Sequence, residues 1–224
     1  MPSYYLLTGA GFTRNWGGWL ADEVFEYLLG SQEINEYLRK VLWDAKLQGR
    51  GFEYALSLVQ DAYASNKSPQ NWQHLDAFMK AIIDMFSAMQ AAFSFKGLGD
   101  KGYVLQRFLD SFDSIFSLNQ DTFLESYYAG PVSWGGRWQG SYLPYMKLLQ
   151  SPEITFPLRG DLTQDLDYKA PENCQPIYKL HGSYNWFVEP EGKRLVVIGG
   201  NKTRTIDTFE VLYKYRKEFM EALL

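Results

Sequence analysis

The stretch Leu6–Trp19, LLTGAGFTRNWGGW, sets the reading of the whole chain. A short apolar run stops at Gly9-Ala10-Gly11, followed by Phe12, Thr13, Arg14 and a second glycine pair. Glycine loses more backbone freedom on folding than any other residue, so three bare or nearly bare positions behind a strand need a reason. One reason is a tight structural turn. Another is a backbone left open to an anion, whose charge is met by exposed N–H groups and by the positive end of a following helix. The dinucleotide fingerprint would place a further glycine at position 14, where this chain has arginine. Arg14 is either a planar fork for phosphate or a solvated surface residue.

Working outward, residues 4–8 read as a short buried strand, and GWLADEVFEYLLG as a helix with Leu20, Val24, Tyr27 and Leu28 on one face, ending at Gly30. Residues 31 to about 96 carry only helical patterns and read as a helical insert. A short helix over YVLQRFLD leads to a second buried strand near 113–118, with Asn119 at its end. Residues 130–175, rich in Gly, Pro, Trp and Tyr, read as a long irregular excursion. PIYKLHGS is a third strand near 176–180, and YNWFVEPEGKRLVVIGG a hairpin turning at Glu191-Gly192. An amphipathic helix over 207–223 follows. The expectation is one α/β domain over 1–224, a Rossmann-like parallel sheet carrying a helical insert.

Composition narrows the classes. With 224 residues, 46% hydrophobic and 21% charged, the chain reads as globular. A formal charge of -4 argues against a mainly electrostatic grip on nucleic acid. The single cysteine, Cys174, rules out an intrachain disulfide and a four-cysteine zinc site, so no zinc is expected; no metal ligands are assigned. No window approaches the ~18 apolar residues of a spanning helix, and the N-terminus lacks a signal-peptide pattern, so the expected compartment is the cytoplasm, with no membrane partner.

Three strands thus end in polar turns: Thr8–Gly11, Asn119-Gln120-Asp121 and His181-Gly182-Ser183. In a parallel sheet, ligands bind beyond the carboxyl ends of the strands, so these turns would converge on one crevice. Asn119 can donate and accept toward a ribose hydroxyl or a water, and Asp121 can accept from a carboxamide. Both also suit a helix cap near Thr122. His181 suits proton transfer, or a satisfied buried position.

Taken together, GAGFT, SLNQDTFLE and KLHGSYNW resemble, in order, the three signatures of sirtuin-like NAD-consuming domains, and their detail is closer to bacterial antiphage NAD hydrolases than to protein deacylases. The FEYALS helix start behind Gly51, Glu125 and the Ser-Tyr-Asn-Trp tail carry that detail. The resemblance implies NAD as substrate. Gly9, Ala10, Gly11, Phe12, Thr13 and Arg14 would hold its phosphates and ribose, and Asp121 its carboxamide. Asn119 would orient ribose or water, and His181 would act as general base. A partner defence protein or a homo-oligomer is expected, the latter because a missing strand would leave a sheet edge unpaired. The family carries a further strand for the adenosine half. LVVIGGNKTR reads as the earlier hairpin with Lys202, so the chain is expected to stop short of that strand. Its last helix would then lack cover for Phe209, Leu212 and Phe219. A non-catalytic nucleotide-binding module and, for want of the zinc cysteines, less favourably a deacylase are the competing readings.

Overall fold

The computed structural model describes residues 3–93, 99–128, 136–149, 160–168 and 171–224. Strand β1 (Tyr5–Thr8) runs into a one-turn helix, α1 (Ala10–Thr13), and a 3-10 turn over Arg14–Trp16. Four helices follow: α2 (Ala21–Gly30), α3 (Glu36–Leu47), α4 (Phe52–Ser65) and α5 (Pro69–Ala92). Helix α6 (Gly99–Asp110) leads to β2 (Ser114–Ser117) and α7 (Phe123–Tyr127). Then come β3 (Gly140–Tyr142), β4 (Met146–Leu148), β5 (Leu162–Gln164), β6 (Cys174–Lys179), β7 (Gly182–Val188), β8 (Lys193–Val196), α8 (Lys202–Thr208) and α9 (Glu210–Ala222).

The architecture is mixed α/β. A four-stranded parallel sheet has the order β1-β2-β6-β3, and a second sheet the order β4-β5-β7-β8. The three strands expected near 4–8, 113–118 and 176–180 are therefore neighbours, with Thr8 beside Ser117 and Ser117 beside Lys179. Their carboxyl ends lie side by side.

Alternation along β2 and β6 sends side chains to both faces. Phe116 and Tyr178 stack at 5.1 Å on one face, where Phe219 and Tyr215 of α9 each meet them edge-on, also at 5.1 Å. Tyr215 is fully buried, touches Trp186 of β7, and donates its hydroxyl to the Pro144 carbonyl. Aromatic pairs of this kind contribute roughly 0.5–1.5 kcal/mol each beyond burial. The helical layer packs its own stripe, including Leu28, Leu38, Leu42, Leu56, Phe78 and Ile82, all fully buried. Asn35 and Ser68 cap α3 and α5 by accepting from Leu38 and Asn71 amides at 3.0 and 3.2 Å.

Four expectations are corrected. β1 is an edge strand, so Tyr5 and Leu7 are exposed and only Thr8 is buried. The long helix does not start behind the glycine turn. Gly17, at φ +100°, ends the 3-10 turn, and α2 begins at Ala21, so the macrodipole at Gly9 is that of a single helical turn. The 130–175 stretch is not irregular throughout. Its described part holds β3, β4 and β5, three residues each, too short to show a period. The terminal helix is covered, with Phe209, Leu212 and Tyr215 buried and Phe219 half-buried against Phe116. The part of the helical stretch at residues 94–98 lies outside the described residues.

The hairpin stands as read: β7 and β8 pair antiparallel, Val188 opposite Lys193, around a turn with Gly192 at φ +60°. The path from β6 into β7 needs Gly182, at φ +68°, because a Cβ there would stand 2.1 Å from the Leu195 carbonyl oxygen. Around Gly192 a Cβ meets nothing within 4 Å. Left-handed backbone costs an L-residue roughly 1–2 kcal/mol. Urea unfolding of Gly192→Ala should show about that loss. Gly182→Ala should lose about 3 kcal/mol or more, since strand β8 must also move.

Candidate functional site

The carboxyl end of β1 supplies the glycine turn. Gly9 is extended, at φ -137°, and caps a helical turn in which the Phe12 amide donates to the Gly9 carbonyl at 2.8 Å. The first amides of such a turn have no intrahelical acceptor. A Cβ at Gly9 or Gly11 would meet nothing within 4 Å, so neither packing nor a positive φ demands glycine at these two positions. The second pair differs. A Cβ at Gly17 would stand 2.7 Å from the Ala92 carbonyl oxygen, and one at Gly18 would stand 2.8 Å from the backbone of Thr13. Gly17 and Gly18 are packing glycines, whereas Gly9 and Gly11 face open space.

The carboxyl end of β2 supplies Asn119, Gln120 and Asp121. Asn119 and Asp121 are each 7% exposed. The Asn119 amide donates to Ser117 Oγ at 3.2 Å, and the Phe123 amide donates to Asp121 Oδ1 at 3.0 Å, an Asx-type bond to the first amide of α7, whose N-cap Thr122 makes no side-chain cap bond. Asp121 Oδ2 accepts from the Thr13 hydroxyl at 3.2 Å. That bond joins the glycine turn to the Asn119–Asp121 turn across 108 positions of chain.

Beneath them lies a buried ion pair. Lys179, the last residue of β6, is 1% exposed, and Glu125 on α7 is fully buried. Lys179 Nζ donates to Glu125 Oε1 at 2.5 Å, to Ser183 Oγ at 2.7 Å and to the Asp121 carbonyl oxygen. Desolvation raises the carboxyl pKa values of both Asp121 and Glu125, with Lys179 acting against that rise. Glu125 Oε2 has no hydrogen-bond partner.

A cavity of about 210 Å³, the room of roughly seven liquid waters, opens between sheet and helices. Ala10, Asn119, Gln120, Asp121 and Glu53 give it a polar end. Trp19, Ala21, Val24, Phe52, Met85, Phe86 and Met89 give it an apolar one. This volume suits a single ring-sized group. Glu53 is held by Lys202 at 2.8 and 3.0 Å.

Of the residues singled out from sequence, Ala10, Asn119 and Asp121 line this cavity together, and Thr13 is bonded to Asp121. Gly9 and Gly11 flank Ala10 without lining it. Phe12 packs on Trp16 and Phe123 at 5.7 and 6.1 Å. Arg14 is turned away: its guanidinium meets Glu23 at 2.8 Å and the Gly18 carbonyl at 3.3 Å. His181 is half-buried and is not in the lining of the cavity. Its ring bonds the Leu118 carbonyl, and burial, followed by the Lys202 charge, lowers its pKa below 6.5. An imidazole donating to a carbonyl through one nitrogen keeps the other as an acceptor. Sequence reasoning missed Lys179 as part of the site and gave Ser183, in the third strand-end turn, no role. A lysine inside the apolar run PIYKL was the available signal. The apolar lining from α2, α4 and α5 left no local signal.

Among the described residues, no group of three or more His, Cys, Asp or Glu is placed to hold a metal ion, and no helix is long and apolar enough to cross a membrane. No protein-family model matches the chain, and no curated protein matches it.

Asp121 and Glu125 are both buried carboxyl groups whose pKa values burial raises, and Lys179, ion-paired to Glu125 alone, is the cation that opposes the rise of both. A raised folded-state pKa means that this burial costs stability above that pKa and that the cost is recovered as pH falls toward the unfolded value. Asp121→Asn should therefore raise unfolding stability at pH 7.5 by about 1 kcal/mol. The gain should shrink at pH 5. Loss of stability at pH 7.5 would instead make the carboxylate a structural acceptor for Thr13 and Phe123.

Proposed function

We propose that the chain is an NAD+ glycohydrolase of the sirtuin-like kind, with a Rossmann-like sheet, that cleaves the bond between ribose and nicotinamide. Depletion of NAD as a bacterial antiphage response is the biological role this implies. The observation that carries the reading is the meeting of the glycine turn and the Asn119–Asp121 turn on one ring-sized cavity, joined by the Thr13–Asp121 bond. Gly9 and Gly11 are compatible with it, because no side-chain neighbour occupies the space in which a ligand would lie against their backbone.

In this reading the nicotinamide ring enters the cavity. Its apolar faces meet Trp19 and Phe86, and its carboxamide N–H groups are accepted by Asp121. The phosphates lie along the amides of the glycine turn. Cleavage passes through an oxocarbenium-like state, as in other glycoside hydrolysis. Nicotinamide leaves neutral, so no strong acid is required. Asn119 orients ribose or water, and His181 takes the proton of the attacking water. The protein's task is orientation and exclusion of bulk water.

One observation favours a second reading, a nucleotide-binding module without turnover: His181 stands outside the lining of the cavity. Incubation with NAD, following nicotinamide by chromatography alongside calorimetric titration, separates the two, since the module would bind NAD and release nothing. For the hydrolase, His181→Ala and Asn119→Ala should each lower nicotinamide release by about 10²–10⁴-fold in folded protein. Asp121→Ala should mainly raise KM. Gly11→Ala should weaken NAD binding while leaving stability unchanged or raised by about 0.4–1 kcal/mol. A base must be neutral to act, and the His181 pKa lies below 6.5, so the rate should climb with pH on the acid side and be level above pH 7. Full activity of the His181 variant would refute its role.

A further inference from the structure

Lys179 is an anomaly for a sheet strand. Its ammonium is buried beneath the carboxyl ends of the strands, where an unpaired charge is costly. All three of its donors are used, and their acceptors lie on three different segments. The Asp121 carbonyl belongs to the turn after β2, Glu125 to α7, and Ser183 to β7. Ser183 passes the tie on, since its hydroxyl donates to the Gln120 carbonyl at 3.1 Å, which also accepts from the Tyr184 amide at 3.1 Å. Both carbonyls of the Gln120-Asp121 backbone are therefore clasped from below. With its backbone fixed, Asp121 holds its carboxylate between the Phe123 amide and the Thr13 hydroxyl, on the cavity lining.

We infer that Lys179 is a positioning residue, which with Glu125 and Ser183 fixes the Asn119–Asp121 turn in the orientation the reaction needs. The inference rests on the hydrolase reading for its catalytic consequence and on the hydrogen bonds alone for its structural one. Lys179 touches no reacting atom. It acts through the turn, and misplacement of such a turn by an ångström costs on the order of 10²-fold in rate.

Lys179→Met alone strands Glu125 without its cation and reports only on stability. The paired variant Lys179→Met with Glu125→Leu removes both members of the ion pair together, which costs far less than stranding one partner, and its remaining stability loss is the Lys179 charge that Asp121 no longer feels. Two readouts are taken on it. Amide hydrogen exchange at Phe123 and Tyr184 needs no ligand, and it should speed up about tenfold while Leu118, bonded to Thr8 in the sheet, is unchanged. Nicotinamide release should lose about 10²-fold in kcat with a smaller change in KM. Unchanged exchange at Phe123 and Tyr184 overturns the clasp, and faster exchange with wild-type kcat overturns its catalytic role. If the wild-type protein releases no nicotinamide while exchange in the variant still speeds up, the hydrolase reading falls and the clasp stands. Should the paired variant fail to fold, Ser183→Ala keeps both charges, and the same two amides should then exchange faster with a smaller loss in kcat. Wild-type exchange and rate in Ser183→Ala overturn the proposal.

Discussion

The ammonium of Lys179 is the constraint on which the strand ends depend. Bringing a cation out of water costs several kcal/mol even after relaxation, and it is tolerated only when every donor finds an acceptor. Here the acceptors are a carboxylate, a hydroxyl and a main-chain carbonyl, each on a different piece of chain. Satisfying the cation therefore forces α7, the turn after β2 and the start of β7 into one arrangement. The Trp186 ring, 5.7 Å from the ammonium, closes the remaining side. A packed hydrophobic core would hold these elements with equal strength. Directional bonds to a single nitrogen also fix the orientation of the peptide groups above it, and those peptide groups carry Asn119 and Asp121.

The helices between β1 and β2 complete the site. Phe52, Met85, Phe86 and Met89 close the apolar end of the cavity. Phe86 also stacks on Tyr184 at 5.4 Å and 9°. Gln90 of α5 accepts from the Thr122 hydroxyl and donates to Ser126 at 3.1 Å, tying the helical layer to α7. On the far side, Gln60 of α4 donates to the Ile198 carbonyl and accepts from the Gly200 amide, both at 3.2 Å, and Glu53 takes Lys202. Gly199 and Gly200 allow this close approach, since a Cβ on either would stand 2.6–2.8 Å from α4 side chains. The helical layer thus grips the sheet on both sides of the cavity through polar bonds that bracket an apolar wall.

The glycines at the strand ends and at the helix–sheet contact differ in the space around them. Gly17, Gly18, Gly182, Gly199 and Gly200 are there because another atom occupies the place of a side chain. Gly9 and Gly11, like Gly30 and Gly51, have neither a neighbour nor a strained backbone to explain them. This contrast is invisible in the sequence, where GAG and GG look alike.

By itself the sequence determined the local events. Apolar runs bounded by polar turns marked the three strands, because a buried strand needs an apolar run and a turn needs residues that free or bond its backbone. Helical periodicity marked the layer between β1 and β2, and Glu191-Gly192 marked the hairpin. Asn119 and Asp121 were legible as residues of a strand end. Tertiary structure decided which of these meet. It made β1 an edge, turned Arg14 onto Glu23, and left His181 out of the cavity lining. It also revealed the short strands β3 to β5, too brief to carry a period. Above all, it brought Lys179, Glu125, Ser183 and Thr13 around Asp121. Hydrogen bonds across 54 to 108 positions of chain have no local spacing to betray them; they exist only once the sheet order has set the strand ends side by side.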